Sequence, residues 1–476
     1  MHGMYPGDLL TVDSFEVGVI GAGYVGLATG ACLAHLGYKV TCLDRDEERI
    51  TSLQEGTVPF YEPALDRLVA RGMRSGHLSF GGAQELAWVV RRTDVVFVAV
   101  GTPQGDDGSA DLANVASVAG QIGHALVSEG SASRERPLVV ANKSTVPVGG
   151  GDYVSALIEE GVLEGGGATA KADFVVVSNP EFLREGSAVY DTLFPDRIVV
   201  GADSRGPLEI MRRLYEPIIG QDFPTEFDPR PKTAVPFVST DLASAEMIKY
   251  AANAFLATKI SFINEISALC ETTGANVSLV ANGIGLDGRI GSRFLNAGIG
   301  WGGSCFPKDV SALRAAALAY GYETPLLDAT VAVNEGQLRR VIEKLERHLD
   351  TLMGKRVALL GLSFKPNTDD LRGAPSLEIA RQLNALGATS VGYDPVAGIL
   401  AGRALQGLEV VFDPYEALEG ANAAVVVTEW EEVKGLDPTR AAASMREPKL
   451  LVDGRNALDP TSCREAGLLY ASFGRE

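Results

Sequence analysis

Three segments of the chain combine residue types that can carry covalent or acid–base chemistry. In GIGWGGSCFPKD (Gly298–Asp309) a cysteine follows two glycines, and a lysine and an aspartate come shortly after it. A thiolate is a strong nucleophile where nearby cations favour it, and the glycines would give a ligand close access to the backbone. Cys305 is therefore either a nucleophile or a small buried thiol.

The other two segments place polar groups next to apolar sequence. NPEFLREG (Asn179–Gly186) follows a run of valines that is typical of a strand. Lys249 and Asn253 are four residues apart in a helical pattern, so they share one face of a helix that is otherwise apolar. Lys249 is either a surface lysine with its stem along that face or a polar group facing a site.

A glycine-rich turn near the start of the chain indicates a dinucleotide site. GAGYVG matches the pattern GxGxxG between an expected strand, Phe15–Ile20, and a helical segment that ends at Gly37. In such a turn Gly21 allows the tight bend, Gly23 lets the backbone approach a pyrophosphate, and Gly26 lets the helix pack closely on the strand.

The acidic residue at the end of the second strand bears on which dinucleotide binds. Asp44 follows the glycine turn by about twenty residues and would accept the ribose hydroxyls while repelling a 2′-phosphate. This favours NAD over NADP, although the neighbouring Arg45 and Arg49 weaken the exclusion. Thr102 and Thr145 follow later strand-like runs and are either ligand contacts or ordinary cap and turn residues.

The elements that must position these residues follow an α/β, helical, α/β order. Short β-branched runs in the first part predict a doubly wound parallel sheet, and a second such pattern begins at Gly354. The stretch from Ser239 to Gly274 has no internal proline or glycine and predicts one long, buried helix. The fold class is thus two Rossmann-like doubly wound parallel-sheet domains joined by a helical central domain. The expected divisions are a tail (1–14), a dinucleotide-binding domain (15–236), a central helical domain (237–335) and a C-terminal α/β domain (336–476).

The C-terminal α/β pattern differs from the first at its opening turn. Its first strand leads into GLSFK rather than into a three-glycine turn. We therefore expect this half to hold a nucleotide differently, or to hold none.

Composition narrows the class of protein. Lys and Arg number 42 against 61 Asp and Glu, a formal charge of −19 over 476 residues, so nucleic acid and anionic membranes are poor partners. Five cysteines without a CxxC pair favour a reducing compartment, and no signal peptide or membrane span is indicated, so we expect a cytoplasmic protein. The five histidines have no metal-like spacing, so no metal is expected.

Six motifs together resemble the UDP-glucose 6-dehydrogenase family, a branch of the UDP-glucose/GDP-mannose dehydrogenases. They occur in the family order from Val17 to about Asn456. The resemblance implies a four-electron oxidation in which the C6 alcohol of a nucleotide sugar becomes a carboxylate and NAD is reduced twice. The motifs are GAGYVG, KSTVPVG, NPEFLREG, AEMIKYAANAFLATKISFINE, GGSCFPKD and GLSFKPNTDDLRGAPS.

The resemblance also implies roles for the candidate catalytic residues. Cys305 would add to the intermediate aldehyde and carry it as a thiohemiacetal and then a thioester. Lys249 would stabilise the oxyanion, Asn253 would help position it, and Asp309 would assist the hydrolytic water. Glu181 and Thr145 would be further acid–base or water contacts, and the group that takes the first proton stays open.

Binding residues follow from the same resemblance. Arg289 matches an arginine that reaches the site of a partner subunit, which implies a homodimer. Lys365 and Arg455 would supply local positive charge for a diphosphate. The cofactor set is Gly21, Gly23, Tyr24, Val25, Gly26, Asp44, Arg49, Thr102, Thr145, Glu185, Lys308 and Arg372. The substrate set is Glu181, Phe182, Leu183, Arg184, Lys249, Asn253, Arg289, Phe294, Gly298, Gly302, Phe364, Lys365 and Arg455.

The expected substrate is UDP-glucose, and alternatives remain. Ser304 before Cys305 and the Phe-Pro-Lys-Asp after it resemble the UDP-glucose branch rather than the branch for UDP-N-acetyl sugars. GDP-mannose dehydrogenases carry similar GGSC loops, so GDP-mannose is the next candidate. Trp301 and Asn296 depart from the commonest loop patterns of UDP-glucose enzymes and leave the base and sugar preference open. More distant alternatives are a non-catalytic nucleotide-sugar-binding regulator and a two-electron hydroxy-acid dehydrogenase, which would have no use for the cysteine.

Overall fold

The structure is a computed structural model that describes residues 15–128, 136–166, 173–225 and 233–475, so the expected tail at 1–14 lies outside the described residues. These residues form two compact units, and the division falls between Tyr250 and Ala251. The predicted domain boundaries at residues 236 and 335 remain a prediction.

The first unit is built on an eight-stranded sheet. Its strands are β1 (Glu16–Ile20), β2 (Lys39–Asp44), β3 (Leu78–Gly82), β4 (Val95–Val98), β5 (Leu138–Asn142), β6 (Phe174–Ser178), β7 (Ile198–Gly201) and β8 (Phe237–Thr240). The order is β3-β2-β1-β4-β5-β6-β7-β8, with all neighbours parallel except β6 and β7. The first six strands confirm the predicted doubly wound topology, whose ligands bind at the carboxyl ends of the strands.

Helices cover both faces of this sheet. They are α1 (Tyr24–His35), α2 (Glu47–Gln54), α3 (Leu65–Ser75), α4 (Leu86–Arg92), α5 (Ala113–Val127), α6 (Gly150–Glu164), α7 (Ala188–Leu193), α8 (Arg205–Leu214) and α9 (Glu216–Gly220). The strands are buried on both sides: Val139 and Ala141 of β5 face one apolar layer, and Leu138 and Val140 face the other. This is why their sequences are continuous apolar runs rather than alternating ones.

The long helix is α10 (Leu242–Thr273), which starts three residues later than the sequence indicates. Ser239 instead belongs to β8, which pairs with β7 although the predicted boundary put it with the helical domain. Asp241 caps the helix by accepting a hydrogen bond from the Ser244 amide at 2.7 Å.

The expectation of a buried helix does not hold for one stripe of α10 within this chain. Phe255, Phe262 and Leu269 are 66%, 50% and 57% exposed. They recur every seven residues and therefore lie on one stripe of the helix. These three apolar side chains therefore do not belong to the hydrophobic core of the single chain.

The second unit repeats the doubly wound topology. Its strands are β9 (Arg356–Leu360), β10 (Thr389–Tyr393), β11 (Leu408–Val411), β12 (Ala423–Val426), β13 (Leu450–Asp453) and β14 (Leu469–Ser472), and they form a parallel sheet in the order β11-β10-β9-β12-β13-β14. The relative order is the same as that of the first six strands of the first sheet, which confirms the second predicted Rossmann-like domain.

Within the described residues, nine more helices follow α10. They are α11 (Val277–Gly285), α12 (Phe306–Ala319), α13 (Pro325–Leu349), α14 (Pro375–Ala385), α15 (Gly398–Ala404), α16 (Pro414–Leu418), α17 (Glu431–Lys434), α18 (Pro438–Ser444) and α19 (Pro460–Glu465). Several begin with proline, which suits the first helical position because its missing N–H has no partner there. In the described ranges, no helix combines the length and apolarity needed to cross a membrane.

Candidate active site

The glycine turn between β1 and α1 has the geometry of a pyrophosphate cradle. Gly21 has φ +102°, and a Cβ on it would lie 2.5 Å from the Ala99 carbonyl oxygen. A Cβ on Gly26 would lie 1.8 Å from the Gly21 carbonyl oxygen, so α1 packs directly on the turn. A Cβ on Gly23 would meet no atom within 4 Å. The space beside Gly23, at the N-terminus of α1, therefore fits the phosphates of a dinucleotide.

Asp44 is buried at the end of β2 and is tied to this turn. Its Oδ2 accepts a hydrogen bond from the Ala22 amide at 2.8 Å, and its Oδ1 accepts one from the Asp46 amide at 3.0 Å. Arg49 donates to Oδ2 at 3.0 Å. A carboxylate offers about four acceptor positions, so capacity for a ribose hydroxyl remains. Arg49 is neutralised by Asp44 and Asp46, which reduces its attraction for a 2′-phosphate.

The two candidate threonines lie at the ends of neighbouring strands. Thr102 is buried after β4, and Thr145 is half-buried after β5. The loop of Thr145 is held by Glu246 of α10, which accepts hydrogen bonds from the amides of Gly149 and Gly151 at 2.8 Å each. Burial raises the pKa of the Glu246 carboxyl, and these hydrogen bonds oppose the shift.

Lys249 forms a buried ion pair with Glu181. Its side chain donates from Nζ to Glu181 Oε1 at 2.8 Å, and the lysine is only 4% exposed. The second carboxylate oxygen accepts from the Leu183 amide at 2.8 Å, which fixes the direction of the carboxylate. The ammonium also lies 5.6 Å from the centre of the Phe182 ring. The interpretation of Lys249 as a surface lysine is therefore wrong.

Lys143 is a second buried amine, which the sequence reasoning missed. Its Nζ donates to Asn179 Oδ1 at 3.3 Å and to the Tyr215 hydroxyl at 3.4 Å. Burial lowers its pKa to about 8, the charge of Glu181 opposes this shift, and the charge of Lys249 adds to it. The signal available in the sequence was the position of this lysine directly after the apolar run of β5.

The rest of the NPEFLREG segment divides between exposed and buried groups. Arg184 is exposed, and its guanidinium and amide donate to Asp191 at 2.7–2.9 Å. This interaction raises the pKa of the Arg184 guanidinium. Glu185 is buried. Arg184 thus makes a local ion pair, while Glu181 and Glu185 lie inside the unit.

In the second unit, α12 carries Cys305 and Asp309 one turn apart. Cys305 caps the N-terminus of the helix and is partly exposed, whereas the other four cysteines are buried. Asp309 is buried, and its Oδ2 accepts a hydrogen bond from Asn253 Nδ2 of α10 at 2.6 Å. Lys308 donates to the other oxygen. The helix N-terminus favours negative charge, so it would stabilise charge that develops near Cys305.

The glycines before Cys305 allow close packing of the chain, and their use as ligand access remains a prediction. A Cβ on Gly302 would lie 2.1 Å from the Gly373 carbonyl oxygen, and one on Gly303 would lie 2.6 Å from the Phe364 ring. A Cβ on Gly298 would lie 2.4 Å from the Gly454 carbonyl oxygen. The loop is pressed against the end of the second sheet, and glycine is required for that contact.

The predicted substrate contacts in the second unit have different surroundings. Phe294 is half-buried with φ +64°. Lys365 is half-buried with its Nζ 5.2 Å from the centre of the Phe364 ring. Arg455 donates to the Val427 carbonyl at 2.7 Å and to the Gly300 carbonyl at 3.1 Å.

The two remaining arginines are exposed, and each forms an ion pair with a nearby aspartate. Arg372 bonds to Asp370, and Arg289 bonds to Asp287 while staying 90% exposed. Arg289 therefore makes a local contact only within the described part of its own chain.

The second sheet uses its strand-end aspartate differently from the first. Asp394, just after β10, is the counterpart of Asp44 and is buried. It accepts six hydrogen bonds, from the amides of Leu362, Ser363, Val396 and Ala397, the Ser363 hydroxyl and the Trp430 indole. Such a saturated carboxylate has no free position for a ribose, which agrees with the expectation that this half does not bind a nucleotide in the way the first does.

Family models match three consecutive parts of the chain. The NAD binding domain of the UDP-glucose/GDP-mannose dehydrogenase family matches residues 15–219, its central domain matches 243–336, and its UDP binding domain matches 358–460.

Curated relatives and solved structures match over nearly the whole length. A UDP-glucose 6-dehydrogenase of Rhizobium meliloti is 45% identical over 97% of this chain and 99% of its own, and one of Bacillus subtilis is 42% identical over 97% and 93%. A UDP-glucose dehydrogenase structure from Pyrobaculum islandicum covers 97% of this chain and 98% of its own, with a TM-score of 0.85 at 36% identity. A GDP-mannose dehydrogenase structure from Pseudomonas aeruginosa covers 96% and 99%, with a TM-score of 0.51 at 27% identity.

Proposed function

The chain belongs to the UDP-glucose/GDP-mannose dehydrogenase family, and from this premise we propose how its residues oxidise C6 of UDP-glucose. It is an NAD-dependent oxidoreductase that acts as a UDP-glucose 6-dehydrogenase. One observation carries the proposed covalent mechanism: Cys305 is the one cysteine that is not buried, and it lies one turn from a carboxylate held by an amide and an ammonium.

The residues of the glycine turn hold NAD. The N-terminus of α1 and the open space beside Gly23 accept the pyrophosphate, and Asp44 accepts a ribose hydroxyl. Tyr24, Val25, Thr102 and Glu185 complete the proposed contacts. Bound NAD would supply the acceptor for one hydride, and a second NAD would replace it before the second oxidation at C6.

The first oxidation needs a group that stabilises negative charge on the C6 oxygen as the alcohol loses its proton and a hydride. Lys249 is suited to this because its ammonium is buried, where the interaction with an oxyanion is strong. Glu181 orients that ammonium through the 2.8 Å hydrogen bond. Asn253 donates to the same oxygen, and the product of this step is the C6 aldehyde.

The second oxidation needs a covalent step because an aldehyde carries no hydroxyl from which to lose a hydride. The Cys305 sulfur adds to the aldehyde carbon, and the former carbonyl oxygen becomes the alkoxide of a thiohemiacetal. Collapse of that alkoxide expels the second hydride and leaves a thioester on Cys305. The covalent bond keeps the aldehyde from escaping between the two oxidations.

Hydrolysis releases the acid and restores the thiol. Water attacks the thioester carbon, the carbon–sulfur bond breaks, and the carboxylate leaves. Asp309 orients the water or takes its proton, with Asn253 and Lys308 fixing the two oxygens of the carboxylate. Thr145 is the proposed further contact of this water.

Residues from several segments of the chain are proposed to recognise the substrate. Phe182, Leu183 and Arg184 contact the sugar. The nucleotide is lined by Phe294, the loop from Gly298 to Gly302, and Phe364. The diphosphate is attracted by Lys365 and Arg455, and Arg455 also keeps its hydrogen bonds within the chain. The relatives named for UDP-glucose at 42–45% identity favour that substrate over GDP-mannose.

The active species is proposed to be a homodimer in the cytoplasm. The exposed stripe of Phe255, Phe262 and Leu269 on α10 is an apolar surface suited to a second copy of the chain. Arg289, which is 90% exposed, is free to reach the partner's substrate. None of the five cysteines, all of which the structure describes, forms a disulfide, which is consistent with a reducing compartment.

The decisive experiment counts NADH formed per UDP-glucose at limiting UDP-glucose and excess NAD. We expect about two, because each oxidation releases one hydride. A ratio near one would mean that the aldehyde leaves and that the covalent mechanism is wrong. Activity with GDP-mannose but not with UDP-glucose would overturn the substrate assignment.

A further inference from the structure

Glu62 is a buried carboxylate in the loop between α2 and α3, and the proposed reaction does not use it. Its oxygens receive three hydrogen bonds from two distant parts of the first unit. Oε1 accepts from the Ala188 amide at 2.7 Å, and Oε2 accepts from the Gly186 amide at 2.6 Å. The Tyr24 hydroxyl also donates to Oε2.

The same junction is supported by the residues around Glu62. The Phe60 ring stacks on the Tyr24 ring with centroids 4.8 Å apart and planes inclined by 27°. The Tyr24 hydroxyl also accepts a hydrogen bond from the Gly186 amide at 2.7 Å. Tyr24 lies in the cofactor turn, and Gly186 ends the loop that begins with Glu181. Glu62 therefore connects the proposed NAD site to the proposed sugar site.

We propose that Glu62 is a positioning residue that holds the cofactor turn and the Glu181–Gly186 loop in one binding-competent arrangement. This inference rests on the proposed function, which assigns NAD to the turn and the nucleotide sugar to the loop. In this role Glu62 acts through its hydrogen bonds to Tyr24 and to the backbone next to Glu185 rather than through either ligand.

The charge state of the side chain is essential to this role. A carboxylate offers only acceptors, which match the three donors that surround it. Glutamine has the same shape, but an NH₂ group would replace one of the two oxygens. That NH₂ group would then face a hydrogen-bond donor. At least one buried donor would then lose its partner, and the loop would move to satisfy it.

The test uses the full chain and measures binding of each ligand separately, so that no turnover occurs. NADH binding is followed by fluorescence, and UDP-glucose binding is followed by calorimetry without NAD. We expect Glu62→Gln to raise both Kd values by about tenfold. Glu55→Gln, an exposed glutamate at the end of α2, is the matched control and should bind as the wild type does.

Thermal unfolding separates positioning from simple support of the fold. A Glu62→Gln variant that melts earlier but binds both ligands normally overturns the proposal, and so does one in which only a single Kd changes. If Glu62→Gln does not fold, Tyr24→Phe decides the question. Loss of that hydroxyl should raise the Kd for UDP-glucose about threefold through Gly186, and an unchanged value overturns the proposal.

Failure of the proposed function gives a different result. A wild-type chain that binds neither NADH nor UDP-glucose overturns that function and this inference together. A wild-type chain that binds both, with a Glu62→Gln variant that binds them equally well, overturns only the role of Glu62.

Discussion

Cys305 differs from the other cysteines of the chain in where the backbone places it rather than in its chemistry. Cys32, Cys42 and Cys463 are buried, and burial raises the pKa of each thiol, to about 12, 12 and 11. Such thiols stay protonated and unreactive. Cys305, in contrast, is partly exposed at the start of α12.

Replacement of this sulfur tests the covalent step directly. We expect Cys305→Ser to lose sustained turnover by at least about 1000-fold, because a serine ester hydrolyses too slowly or never forms. Rapid mixing should show at most a brief formation of NADH, while NADH binding stays near the wild-type value. Steady turnover at the wild-type rate would contradict the mechanism.

Lys143 makes the stability of the fold depend on pH. Its pKa is lowered from 10.5 to about 8 by burial, so the unfolded chain binds this proton more tightly than the folded chain does. Stability from this residue is thus fully present above pH 10.5 and is lost as the pH falls through about 8.

The matching variant is Lys143→Met, which removes the titration. From about pH 7 to 10.5 the free energy of unfolding of the wild type should rise relative to this variant by roughly 3 kcal/mol. Denaturant titrations at several pH values measure the difference, and Lys39→Met controls for the loss of one exposed charge. A difference that does not change with pH would show that the buried amine is not the titrating group.

At the scale of elements, the turn between β1 and α1 contains one glycine needed for packing, Gly26, and one needed for cofactor binding, Gly23. Gly26→Ala would place a Cβ 1.8 Å from the Gly21 carbonyl oxygen, so α1 must shift. We expect a loss of about 3 kcal/mol of stability. Gly23→Ala meets no protein atom and should unfold as the wild type does, yet bind NADH at least about tenfold more weakly, because the methyl occupies pyrophosphate space.

Two measurements on these variants settle the assignment. Thermal unfolding reports the cost at Gly26, and a fluorescence titration with NADH reports the cost at Gly23. If the Gly23→Ala variant binds NADH with normal affinity, the pyrophosphate does not bind at this turn.

Local sequence patterns predict the elements well and their surroundings less well. The β-branched runs in the first part of the chain form strands such as β4, β5 and β6 because strands buried on both faces must be apolar throughout. Ser239 was misplaced because a capping residue and a strand residue look alike before a helix. The packing role of Gly302 and Gly303 was missed because Gly373 and Phe364 come from distant sequence. Lys143 and Glu62 were missed because burial of a charge depends on partners far along the chain.

At the scale of the whole molecule, the surface of the chain raises the question of a second copy. If Arg289 serves the partner's site, Arg289→Ala should raise the KM for UDP-glucose about tenfold without lowering the unfolding temperature, since the side chain is 90% exposed. Steady-state kinetics and thermal unfolding measure the two effects. An unchanged KM would contradict the role.

Mixed dimers test the same idea more sharply. A dimer of Arg289→Ala with Cys305→Ser has one site with both wild-type residues if Arg289 acts across the interface, and none if it acts within its own chain. After subunit exchange, about a quarter of the wild-type activity should return in the first case. No recovery between freely exchanging subunits would place Arg289 in its own site.

The repeated strand order has a consequence for inhibitor selectivity. Asp44 and Asp394 occupy matching places in two sheets of the same topology, but Asp394 has all its acceptor positions filled, whereas Asp44 keeps one. An adenosine-bearing competitor that depends on a ribose–carboxylate contact should therefore discriminate between the two halves and displace the dinucleotide alone. If Lys365 and the loop of Phe294 bind the uridine nucleotide as proposed, a compound for that site needs a different pharmacophore.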